Sequence, residues 1–215
     1  MDTASPRALP ARPTTPSDAI AQRLLKHSPI TSVLTLGQRR GQAEGAWRRS
    51  GVDTVQASAL PGDADFDAWA SGLKARFDVI DCSDVSEDLP MGSMAMFVHA
   101  LALLGDCVVF EAGSGAGGAA PSQSEWRDVF AAHGFDAFDG LNDALAPLPT
   151  LTARERGRYM LLANPEGQMR LDGGVLERAI NPHKPVPYRG DLAGRLQHFL
   201  TGLGTPKRAK KRAAA

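Results

Sequence analysis

Apolar and polar positions in this chain fall into two alternating periods, and the switches between them outline its elements. Residues 31–36 (TSVLTL), 52–57 (VDTVQA), 77–82 (FDVIDC) and 106–111 (DCVVFE) are short apolar runs rich in β-branched residues and bounded by Gly, Ser or Asp. They read as buried strands. A fifth, very short strand is expected over 135–138. Between these runs the apolar residues recur every three or four positions. Ile20, Ala21, Leu24 and Leu25 mark a first helix capped by Ser17 or Asp18 and ended before Pro29. Residues 42–50 bury Ala43, Ala46 and Trp47, residues 65–76 bury Phe66, Trp69 and Leu73, and residues 91–104 carry a wide stripe of Met94, Phe97, Val98, Leu101 and Leu104. The helix over 122–133 has the clearest signature: Ser122 and Glu125 form a capping box, and Gly134 ends it.

Strands alternating with helices, apolar on both faces, predict an α/β sandwich with a mostly parallel sheet covered by helices on both sides. Residues 158–163 and 168–171 read as a C-terminal antiparallel hairpin around Asn164-Pro165-Glu166-Gly167. A last amphipathic helix is expected over about 191–203, behind a proline-stiffened loop at 181–189. Residues 1–17, with a proline every three or four positions, read as a disordered lead, and residues 204–215 as a disordered basic tail. That leaves one domain over 18–203, with its core at about 30–171 and an extension at 172–203.

Composition narrows the class. The 24 Lys and Arg balance 24 Asp and Glu, but five of the basic residues sit in 207–215, so residues 1–206 carry a net charge of about −5. Specific nucleic-acid binding is not expected from such a surface. Two cysteines exclude a disulfide scaffold. The longest apolar run, Met94–Leu104, is too short to span a membrane, and the N-terminus lacks a secretory h-region. A soluble, cytoplasmic protein is expected.

Ligands of such sheets bind beyond the carboxyl ends of the strands, which directs attention to residues 37–41, 56–63, 82–90 and 111–121. Three of the chain's segments resemble class I S-adenosylmethionine (SAM) methyltransferases, in particular small bacterial ones associated with sugar or glycan modification. FDVIDCSDVSEDLP (77–90) is similar to that family's strand-turn-acid segment. LALLGDCVVFEAG (101–113) is similar to its helix and following strand. EAGSGAGGAAPSQSEWRDVFAAHGF (111–135) is similar to its Gly-rich loop and Trp-bearing helix. The resemblance covers residues 30–165 and implies a Rossmann-like methyltransferase sandwich. It also implies methyl transfer to a small molecule or glycan-linked group, with SAM over Gly37, Arg39, Gly41, Gln56, Ser58, Asp81 and Asp84.

The first-strand loop departs from the family pattern. Thr35 stands where an acid is usual, and Arg39 where the central glycine would let the backbone approach the methionyl end. Glu87 and Asp88 are the candidates for a general base or for orienting a nucleophile. Two further readings follow: a methyltransferase-fold protein that binds no SAM and serves as a scaffold or subunit, with a protein partner, or a dinucleotide-binding protein. The latter rests on GSGAGG at 113–118 with Asp139 downstream, but the Ser122 cap starts the helix too late for that motif. His99 reads as core and His133 as a helix-closing residue. The histidines show no metal-ligand spacing, so no metal is expected.

Overall fold

Each of the central apolar runs is too hydrophobic to leave either face in water, and the chain solves this by pairing them side by side under helices. The computed structural model describes residues 13–62, 65–85, 89, 92–113, 121–171 and 176. All lie in a first unit, Met1–Pro182; the second unit, His183–Ala215, holds the expected final helix and basic tail and is outside the described residues, as are 1–12.

The elements run α1 (Pro16–His27), β1 (Ser32–Leu36), α2 (Arg40–Arg49), β2 (Thr54–Ala57), α3 (Phe66–Leu73), β3 (Val79–Cys82), α4 (Met94–Leu104), β4 (Cys107–Glu111), α5 (Gln123–Ala132), β5 (Asp136–Phe138), α6 (Asn142–Leu145), α7 (Ala153–Arg156), β6 (Tyr159–Ala163) and α8 (Pro165–Arg170). The strands make one sheet in the order β2-β1-β3-β4-β6-β5. The neighbours from β2 to β4 are parallel, and β6 runs antiparallel to both β4 and β5. The expected α/β sandwich with a mostly parallel sheet is therefore present.

Strand alternation sends successive side chains to two separate cores. Val33, Val79, Val109 and Leu161 pack against Ile20, Leu24, Trp47 and Leu145, from α1, α2 and α6. Leu34, Ile80, Phe110 and Met160 pack against Phe66, Phe97, Trp126 and Phe130, from α3, α4 and α5. The second core holds the edge-to-face rings, with Phe97 and Trp126 centred 6.4 Å apart and Phe110 and Phe130 5.4 Å apart.

Two boundaries moved. Pro16, placed by sequence in the extended lead, is the first residue of α1. Thr15 caps that helix, and its side chain and that of Asp18 form a reciprocal capping box. The hairpin of 158–163 with 168–171 does not form: its second arm is α8. Asn164 accepts a hydrogen bond from the Gly167 N–H at 2.9 Å, with Pro165 at the first helical position. Asn-Pro serves a helix start as readily as a turn. Gly167 also lies so close to the Asp106 carbonyl that a Cβ would meet its oxygen at 2.2 Å. β6 finds its antiparallel partners in β4 and β5 instead.

Candidate functional site

The sheet reverses direction of growth at β1, which has β2 on one side and β3 on the other, so a ligand crevice belongs at the carboxyl ends of β1 and β3. Gly37 closes the backbone there. Its φ is +92°, and a Cβ would stand 2.1 Å from the Ser83 carbonyl oxygen, so only glycine fits. The turn after β1 and the turn after β3 are thus in direct contact.

On the face that carries α1 and α2, the four central strands place a polar residue at this edge of the sheet: Thr35 near the end of β1, Asp81 on β3, Glu111 at the end of β4 and Tyr159 at the start of antiparallel β6, all buried. Register sets Thr35 beside Asp81 and Glu111 beside Tyr159. Asp81 is wholly enclosed; it accepts from the Trp47 Nε1–H at 2.8 Å and from the Ser83 hydroxyl at 2.5 Å. Burial raises the Asp81 carboxyl above its ordinary range, against the pull of those two donors and of Arg39. Glu111 is likewise raised, by burial first, with Arg39 opposing. The Tyr159 hydroxyl hydrogen-bonds to Glu111 and is pushed up by burial and by that carboxylate.

Arg39 lies across this row. It stands at the N-cap of α2; its Nη2 donates to Glu111 Oε2, and its Nε lies 3.5 Å from Asp84 Oδ2. Its side chain keeps 39% of its exposure, whereas that of Glu111 keeps 9%. Burial is the largest single influence and would lower the guanidinium, but the charge and hydrogen bond of Glu111 together with the charges of Tyr159 and Asp84 raise it overall, so the cation is reinforced. The ion pairs of Arg39 link the carboxyl ends of β1, β3 and β4.

The remaining sequence candidates disperse. Gly41 sits in α2 with open space where a Cβ would be. Gln56 is exposed on β2, and its carbonyl lies 3.5 Å from the Thr35 hydroxyl. Ser58 Oγ accepts from Trp69 Nε1 at 3.1 Å and so ties β2 to α3. Asp84 has a φ of +66° and faces Arg39. Glu87, Asp88 and most of the Gly-rich loop 113–118 lie outside the described residues. Gly37, Arg39, Asp81 and Asp84 are therefore brought together, while Gly41, Gln56 and Ser58 take no part in the contacts of this cluster. Glu111, Tyr159 and Trp47 were missed as members of the cluster. The available signal was an acid closing an otherwise apolar strand in DCVVFE.

Thr35 supplies no carboxylate at the end of β1, and the Arg39 guanidinium reaches across to Glu111 at the end of β4. Among the described residues no group of three metal-ligating side chains occurs, and no helix is long and apolar enough to cross a membrane. No protein-family model matches the chain, and no curated protein matches it.

Proposed function

We propose that this chain is a methyltransferase-like α/β protein whose cofactor crevice is latched shut by Arg39, and that it works as a non-catalytic binding or scaffold protein. The observation that carries the proposal is the Arg39 ion pair with Glu111 and Asp84. Support for the methyltransferase-like part comes from the mostly parallel sheet with its antiparallel β6, and from Gly37 pressed on the turn after β3. In this reading the acids that a cofactor loop exposes are neutralised internally, and Arg39 is the resident cation. The opposing reading is SAM-dependent methyl transfer to a small molecule or glycan-linked group. The partial exposure of the guanidinium favours it, because an exposed latch can swing out.

Calorimetric titration with SAM separates the two. The wild type is expected to show no binding heat. Arg39→Gly is expected to gain binding, since it frees the space and leaves Glu111 and Asp84 to attract a cationic ligand, and adding Thr35→Asp strengthens it. Binding by the wild type that weakens in Arg39→Gly reverses the assignment and makes Arg39 a ligand-gripping residue. The Arg39→Gly variant costs stability of about 1.5–3 kcal/mol, the range for a charged hydrogen bond, because it strands the buried Glu111 carboxylate.

A further inference from the structure

His99 and His133 come from different helices and lie 34 positions apart in sequence, yet their ring centres are 6.1 Å apart, with the planes tilted by 53°. His99 is on α4; His133 is the C-cap of α5, and those two helices pack side by side over the aromatic core. Both rings are half-buried. His133 Nδ1 lies 2.9 Å from the Val129 carbonyl oxygen. A carbonyl only accepts, so Nδ1 carries the proton and the Nε2 lone pair is left available, the ligand-ready tautomer. Among the described residues His99 makes no side-chain hydrogen bond, so its ring nitrogens are not committed elsewhere.

We propose that His99 and His133 form a two-imidazole site for a first-row divalent transition metal, taking copper(II) ahead of zinc(II). A metal–nitrogen bond of about 2.0–2.1 Å, extended by ~1.2 Å to each ring centre, allows two imidazoles on one ion a centre-to-centre separation of up to about 6.5 Å. The observed separation of 6.1 Å falls inside that limit. Imidazole donors suit copper, nickel and zinc, and copper(II) heads the affinity order for such donors. With two protein ligands the remaining positions belong to water, which makes the metal exchangeable. Met96 and Leu103, 46% and 48% exposed, lie three residues before and four after His99 on the same helix face and give the site an apolar border.

The test is a calorimetric titration of the full chain with copper(II) and, separately, zinc(II). One ion should bind per chain, copper(II) more tightly. His99→Gln and His133→Gln should each weaken it by at least the ~10-fold that loss of a mere supporting contact costs a metal site. His27→Gln should leave it unchanged. Circular dichroism of each variant must match the wild type. Copper(II) electron paramagnetic resonance on the unmutated chain tests the site independently of folding, with hyperfine structure from two imidazole nitrogens expected. Absence of binding, wild-type affinity in both variants, or a copper spectrum without two-nitrogen coupling would overturn the proposal.

Discussion

Asp81 is a carboxyl with no exposed surface, and its removal is expected to be the costliest single polar change in the domain. In Asp81→Ala the Trp47 indole N–H and the Ser83 hydroxyl both lose their acceptor inside a closed core. Each orphaned donor costs about 1–3 kcal/mol, so the two together should cost the variant about 2–6 kcal/mol. Asp81→Asn keeps the shape. Its amide oxygen can accept from Trp47 while Ser83, whose hydroxyl rotates, takes the amide donor, so the cost near pH 7 is about 1 kcal/mol or less. The pH dependence carries the sharper test. Burial raises the folded Asp81 above its ordinary value of 3.8, so the folded chain holds this proton more tightly than the unfolded chain. The stabilisation is therefore complete below the ordinary value and is lost as pH rises through the raised one. Asn cannot titrate, so the gap between wild type and Asp81→Asn should widen on acidification from pH 7 toward pH 4. Urea denaturation followed by circular dichroism at both pH values measures it. A cost below 1 kcal/mol for Asp81→Ala, or a gap that narrows on acidification, would refute the reasoning.

Gly37→Ala should cost at least about 3 kcal/mol, from a left-handed backbone and overlap with the Ser83 carbonyl, whereas Gly41→Ala, with open space in α2, should stabilise by about 0.5 kcal/mol. Thermal denaturation of the pair decides it, and equal melting temperatures would contradict the close approach of the two turns. Cys82 lies opposite Phe110, three residues beyond Cys107, and the two thiols belong to different cores. At about 3.3 Å per residue they are roughly 10 Å apart along the strands. Burial raises both thiols, Cys107 to about 12 and Cys82 well above its usual value, so neither should react with a thiol reagent in the folded chain. Both should react in denaturant without reductant, and recovery of fewer than two thiols would contradict this pairing.

The parts of the fold that local physics dictates could be read directly from the chain. The apolar runs at 31–36, 77–82 and 106–111 have no polar face to offer solvent, so central parallel strands were the only economical solution. The capping box at Ser122 and Glu125 formed as expected because its partners are three residues apart. Where a local signal suited two structures, distant contacts chose. Asn164-Pro165 serves a turn or a helix start, and the fit of Gly167 against the Asp106 backbone accompanies the helix. Arg39 and Arg40 are adjacent and of the same type. Only the sheet order brought Glu111, 72 positions away from Arg39, under one guanidinium and left the other at the Gly37 carbonyl. His99 read as core and His133 as a helix end, each correctly placed on its own helix, but their facing rings depend on how α4 and α5 pack. Elements follow from periodicity because side-chain direction repeats locally; a charge network follows from register and packing, which no local pattern encodes.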